Sequence, residues 1–257
     1  MFKMRTNSIK RFLGRLWFKY LANSIKSASA SELLELVSKG ANSWGELYNV
    51  DSALVRSWGG RRLEINPFVK VLCCQGQSDD LIREYLEIVE TLEDVDSISI
   101  KIENHGYPWD ETGKSVVKTT TLYQELGKYG YKGPDTSLAE CEIKRLLQIH
   151  ESIQKSGYVH KLGVESPLLG DLLEMNGKVV ILIRHGEHRA AAMYANGYEK
   201  IPVLLSSSRV YSISGDQTNF DSIYYSIDEI KQIFSLIHNG DNKAPLYNIK
   251  GYFFDNP

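Results

Sequence analysis

The sequence predicts an α/β domain, and three observations predict it. Residues 178–205, KVVILIRHGEHRAAAMYANGYEKIPVLL, run from a β-branched apolar segment through a charged turn into a small-residue helix and a second apolar segment. Residues 137–157 and 228–239 place apolar side chains at helical spacing and close on Gly157 and Gly240. Residues 94–103, DVDSISIKIE, alternate apolar and polar positions, the pattern of a strand with one buried face.

Composition bounds the function classes. At 257 residues, with 42% hydrophobic and 24% charged content, the chain has the make-up of a globular protein with a sizeable core. A net charge of -2 and a pI near 6.3 argue against a surface coated for nucleic acid, though not against a local basic patch. Three cysteines, with Cys73 and Cys74 adjacent, make neither a disulfide framework nor a CxxC pair, so a reducing cytoplasm is the expected compartment. The Cys73-Cys74 pair is expected to pack in the core. No run of about eighteen apolar residues occurs, so no transmembrane helix is expected.

The N-terminal stretch differs from the rest. Residues 1–26 carry Lys3, Arg5, Lys10, Arg11, Arg15, Lys19 and Lys26, no acid, and apolar residues near helical spacing, which reads as a basic amphipathic helix. Attachment to an anionic membrane surface is one reading; docking on its own domain or on a protein partner is the other. Ser27–Ser31 reads as a flexible joint, with Ser31 and Glu35 placed to cap a helix over 32–39. Residues 1–40 are therefore expected to form a helical extension and 41–257 a single domain.

Within that domain, 44–62 is mixed and ends on Gly59-Gly60-Arg61-Arg62, a turn that either contacts phosphate or is merely solvated. Asn66-Pro67 opens a short apolar stretch to Cys74, and Asp79-Asp80 precedes a helix over 81–92. Residues 105–115 and 127–134 are loops rich in Gly and aromatics, readable as a closing rim over a ligand or as turns whose Tyr107 and Trp109 plug the core edge. Gly113-Lys114-Ser115 is not a P-loop, because the first glycine that pattern needs falls on Pro108. A strand over 160–164, a hairpin turn at Asn176-Gly177, a polar break at 206–209 and an aromatic tail over 247–254 complete the reading.

The chemistry converges on Arg184-His185-Gly186-Glu187-His188-Arg189. A helix start after glycine leaves backbone N–H groups outside the helical ladder, beside His188 and Arg189, which is a setting for an anion and most often for phosphate. Arg189 offers two-pronged hydrogen bonds, and His188 a proton donor or shuttle. A metal reading of His185-x-x-His188 is set aside: the spacing is not the i, i+4 of a helical zinc pair, and no third ligand is evident.

Gly186-Glu187-His188-Arg189, the alanine-rich helix after it, Gly197 and Ile201-Pro202-Val203 resemble the signature of the ParB/sulfiredoxin superfamily. Residues 137–157 resemble that family's preceding helix, so the resemblance covers about 135–206. It implies a mixed sheet with flanking helices and a turn that holds nucleotide phosphates, with Arg184, Gly186, Glu187, His188 and Arg189 as binding residues. Sulfiredoxins place their catalytic cysteine at the position of Glu187, and a carboxylate cannot form the thiosulfinate their chemistry needs. The E-N-x-x-R motif and helix-turn-helix of ParB are not recognisable after Leu205, which argues against a DNA-binding role.

The expectation is a nucleotide-binding protein that uses ATP or CTP with Mg²⁺ and transfers or hydrolyses a phosphate, as a small-molecule kinase does. Glu187, His185 and His188 are the catalytic candidates, with Asp110 and Asp135 also open as base. The alternative is a non-catalytic, nucleotide-switched module. Its expected place is the cytoplasm, peripheral to the membrane if residues 1–26 engage lipid. On that last reading the full chain co-sediments with anionic vesicles and protein lacking 1–26 does not; equal co-sedimentation would remove the membrane role.

Overall fold

The computed structural model describes residues 25–39, 46–57, 59–74, 78–90, 98, 101–102, 107–110, 136–158, 167–205 and 209–240. In chain order these form β1 (Lys26–Ala28), α1 (Ala30–Lys39), β2 (Glu46–Asp51), β3 (Val55–Arg56), α2 (Pro67–Cys73) and α3 (Ser78–Glu90). There follow α4 (Thr136–Ser156), β4 (Leu168–Met175), β5 (Lys178–His185), α5 (Glu187–Ala195), β6 (Lys200–Leu205), β7 (Val210–Ser214), β8 (Gln217–Thr218) and α6 (Ile227–Asn239). The chain is thus a mixed α/β protein.

One eight-stranded sheet runs β1-β2-β6-β4-β5-β3, with β7 also on β4 and β8 on β7. It is mixed: β4 pairs β5 and β2 pairs β6 antiparallel, whereas β3–β5, β1–β2, β4–β6 and β4–β7 are parallel. The hairpin between β4 and β5 turns on Asn176 and Gly177, both at positive φ (53° and 75°), as a two-residue hairpin demands.

Both faces of the sheet are covered, which explains the unbroken apolar run of β5. Val179, Ile181 and Ile183 pack on one side with Leu33 of α1 and Ala190, Ala192 and Met193 of α5. Val180 and Leu182 pack on the other with Ile230, Ile233, Phe234 and Ile237 of α6. Outside α5 lies a further layer in which Phe68, Val69 and Val71 of α2, Leu81 and Tyr85 of α3 and Ile143 and Leu146 of α4 enclose Ala191. Because α5 is buried on two sides, its alanines are a packing requirement.

Helix ends follow local rules. Ser226 and Glu229 form a capping box at α6, whose far end is Gly240 in the left-handed conformation (φ 64°). There Arg56 clamps the last carbonyls: Nε donates to Ile237 O (3.0 Å) and Nη2 to His238 O (3.0 Å).

Several expectations are corrected. Ser27 and Ala28, expected in a flexible joint over 27–31, lie with Lys26 in a strand parallel to β2. The cap of α1 is Ser29 with Glu32, in place of Ser31 with Glu35: Ser29 N donates to Glu32 Oε2 (2.7 Å) and Glu32 N to Ser29 Oγ (3.3 Å). The expected strand at 94–103 is helical at 98 and 101–102, where Ile98 and Ile102, four residues apart, share one buried face. Cys73 and Cys74 are exposed at the end of α2 and do not pack in the core. Strands β2, β3, β7 and β8 are not among the elements the sequence predicts, and of β4 it marks only the hairpin turn that follows. The expected features at 1–24, 127–134, 160–164 and 247–254 lie outside the described residues. Among the described residues no helix is long and apolar enough to cross a membrane.

Gly170 marks the tightest strand contact. It sits at the irregularity in the β4–β5 ladder, and a Cβ there would lie 2.6 Å from Ile181 Cγ2 and 2.8 Å from Val203 Cγ1. Gly170→Ala is therefore expected to destabilise the fold by about 1–3 kcal/mol in urea unfolding. A loss under about 0.5 kcal/mol, the size of an ordinary surface substitution, would contradict this packing.

Candidate functional site

The junction of β5 and α5 is built on Gly186, whose φ of 90° and ψ of 29° are left-handed. A Cβ at this position would stand 2.3 Å from Leu168 Cδ2 and 2.8 Å from Arg189 Nη2, so only glycine fits. The same distances show the Arg189 guanidinium folded back over the start of α5. The helical ladder begins with Ala190 N donating to Gly186 O (3.0 Å). The amides of Glu187, His188 and Arg189 lie outside that ladder, and Gly186 brings no side chain to cap them.

Glu187 is held from another part of the chain. Asn66 Oδ1 accepts from Phe68 N (2.8 Å), capping α2, while its Nδ2 donates to Glu187 Oε1 (2.8 Å). Glu187 keeps partial exposure as a residue, but protein crowds its carboxyl, and this desolvation pushes the group above the ordinary carboxylate range. His188, Asn66 and Arg61 pull it down, and the Glu142 carboxylate adds to the rise.

Arg61 reaches the same place. It closes the Gly59-Gly60 turn, its carbonyl accepting from Ser57 N (2.7 Å), and the residue is 4% exposed. Its Nε and Nη2 are buried without a hydrogen-bond partner among the described residues. Burial holds its guanidinium down to about 10, while Glu187 and Tyr107 act as the charges that oppose this.

The remaining candidates are sorted elsewhere. The His188 ring turns inward, with Nε2 3.1 Å from buried Glu142 Oε2 and its centroid 4.4 Å from that of Phe68. Its imidazole thus joins α5 to α2 and α4, and only its backbone N–H belongs to the turn. Arg184 points to the α6 face, where Nη2 meets Asp110 Oδ1 at 2.7 Å and Nη1 lies 3.3 Å from Asp171 Oδ2. Asp171 also accepts from Trp109 Nε1 (3.0 Å) and Arg209 Nη1 (2.8 Å). Arg184 is therefore committed to an ion-pair network, and Asp110 with it. His185 ends β5 opposite Leu169, half-buried. Asp135 lies outside the described residues.

Tyr107 and Trp109 are buried in the α6-side core, so at these two residues the loop plugs the core edge. Asn66, Glu142 and Arg61 complete the site. Asn66-Pro67 and the Gly-Gly-Arg-Arg turn were visible signals; Glu142, one polar residue on a long helix, gave none. Among the described residues no cluster of His, Cys, Asp and Glu is placed to hold a metal ion. No family model, curated protein or solved structure matches this chain.

The raised Glu187 carboxyl has a pH consequence. A folded-state value above the unfolded one means the folded protein binds the proton more tightly; the associated stability is present below about pH 4.5 and is lost as pH rises through the folded value. Glu187→Gln, which keeps the neutral shape and an oxygen for Asn66, is expected to gain stability relative to the parent between pH 4.5 and pH 7. Denaturant midpoints at the two pH values check this, and an unchanged difference would refute it.

Proposed function

We propose that this protein binds a nucleoside triphosphate by its phosphates at the Gly186–Arg189 turn and transfers or hydrolyses the terminal one. The observation that carries the reading is Arg61, a buried guanidinium with two N–H-bearing nitrogens lacking acceptors beside an uncapped helix start. Leaving such donors unmet costs roughly 1–3 kcal/mol, more when they are charged, and a phosphate oxygen would offset that cost. Arg189, folded over Gly186, supplies a second guanidinium to the same anion. The resemblance of Gly186-Glu187-His188-Arg189 to the phosphate turn of the ParB/sulfiredoxin superfamily supports a nucleotide as the source of that phosphate.

For transfer, an acceptor hydroxyl oxygen bonds to the terminal phosphorus, the bond to the bridging oxygen breaks, and the nucleoside diphosphate leaves; Mg²⁺ carried on the phosphates would neutralise the charge that develops there. The hydroxyl proton goes to a base. Glu187 suits that role, since its raised carboxyl binds a proton nearer neutral pH, whereas His188 Nε2 is occupied by Glu142. His185 is the other imidazole at the turn.

Calorimetric titration with ATP, CTP, GTP and ADP in the presence of Mg²⁺ is expected to give saturable binding of at least one. Arg61→Ala and Arg189→Ala should each weaken it by about tenfold or more. Absence of binding by all four, or an Arg189→Ala protein that binds as well as the parent, would overturn the proposal. Diphosphate release that depends on an added amino acid or sugar marks a kinase; release without acceptor marks hydrolysis; binding without release marks a nucleotide-switched module.

A further inference from the structure

One short segment brings both a charged and a neutral donor to the start of α5. Residues 61–66 leave the Gly59-Gly60 turn at Arg61 and reach Asn66 after a single helical turn, Leu63–Ile65, whose Leu63 is buried in the core. Asn66 is tied down at every hydrogen-bonding group but one. Its N donates to Leu63 O (3.0 Å), its O accepts from Lys70 N (3.0 Å), and its Oδ1 accepts from Phe68 N (2.8 Å). The last of these fixes which end of the amide is which, so the end that faces Glu187, 2.8 Å from Oε1, is the donor Nδ2. Asn66 is 1% exposed, which shields that bond from competing water.

Glu187 has a stronger partner nearby that it does not take. The Arg61 guanidinium is close enough to feel its charge, yet Arg61 Nε and Nη2 meet no acceptor among the described residues. A charge-assisted bond from guanidinium to carboxylate is roughly twice as strong as a neutral one, and it would satisfy donors that burial makes costly. A restraint on the carboxylate is needed to keep the two apart. Among the described residues, Asn66 is the side chain that hydrogen-bonds it. Were Glu187 to fall on Arg61, the guanidinium would be occupied and a carboxylate would stand where a phosphate is to bind.

We infer that Asn66 is a positioning residue, which holds the Glu187 carboxylate off Arg61 so that the guanidinium stays open to phosphate oxygens, a role that rests on the phosphate reading of the turn. Asn66 acts through Glu187.

Asn66→Ser keeps an oxygen to cap α2 and removes the donor to Glu187; Asn66→Thr does the same and serves if the first does not fold. In the full chain without nucleotide, the Glu187 carboxyl carbon is followed by NMR against pH and assigned by its absence from Glu187→Gln. Two outcomes differ in sign. Loss of the amide donor alone raises the titration of Glu187, because that bond favours the carboxylate, whereas a carboxylate that has moved onto Arg61 titrates lower than in the parent. The lower value is expected, and a value equal to or above the parent's would overturn the inference whether or not nucleotide binds. With whichever of ATP, CTP, GTP and ADP the parent binds, calorimetry in Mg²⁺ is expected to find Asn66→Ser about tenfold weaker. The double variant Asn66→Ser/Glu187→Ala is expected to match Glu187→Ala, since no carboxylate is left to fall on Arg61. Unchanged affinity in Asn66→Ser, or a loss that persists in the Glu187→Ala background, would overturn the inference. A lowered Glu187 titration in a protein whose parent binds none of the four nucleotides would remove the phosphate reading and leave the restraint by Asn66 standing.

Discussion

The constraint on which the rest of this structure depends is the space at Gly186, which admits a hydrogen and nothing larger. With φ at 90° and Leu168 within 2.3 Å of where a Cβ would stand, the chain leaves β5 and immediately winds into α5. The left-handed turn lays α5 across the sheet, and a helix lying so close must present small side chains. Ala190 and Ala192 meet the sheet while Ala191 meets the outer helices. The same turn leaves the first amides of α5 at the edge of the sheet, beside Arg61 and Asn66.

The five polar or charged positions that flank that glycine are distributed by two periodicities. The strand's period of two sends Arg184 to the α6 face, into its ion pairs with Asp110 and Asp171. The helix's period then turns His188 inward to Glu142 and brings Glu187 to Asn66. A run that reads as one charged turn therefore serves two faces and the outer helical layer. Burying His188 requires Glu142, since an unmet buried ring nitrogen is costly. Arg61, like His238 Nε2, departs from this accounting among the described residues; it is a buried guanidinium with two donor nitrogens unmet, and for that reason it carries functional weight.

Much of the α/β framework was legible where local chemistry decides it. Asn176-Gly177, Gly186, Gly197 and Gly240 all adopt the positive φ that their turn and cap positions imply. The apolar run of β5 and the spacing of α4 and α6 gave elements within a few residues of the observed ends. Ile98 and Ile102 show where this fails, because an alternating pattern also places residues four apart on one helical face, and packing against the α6-side cluster selected the helix. Ser29 shows a smaller failure: serines at alternate positions 27, 29 and 31 offer equivalent caps, and the pairing of Lys26–Ala28 with β2 fixed which one is used.

The sequence by itself determined the turn: a glycine between a strand and an alanine-rich helix, flanked by His and Arg, because backbone conformation and helix-end chemistry depend on neighbours a few residues away. It also marked Asn66 as the start of a short apolar stretch and Arg61 as part of a Gly-Gly turn. Only the tertiary structure decided that these belong together, since Asn66 and Glu187 stand 121 positions apart. It likewise decided that Arg184 faces away from the turn. Burial and partner choice arise from contacts between distant segments, and no local period records them.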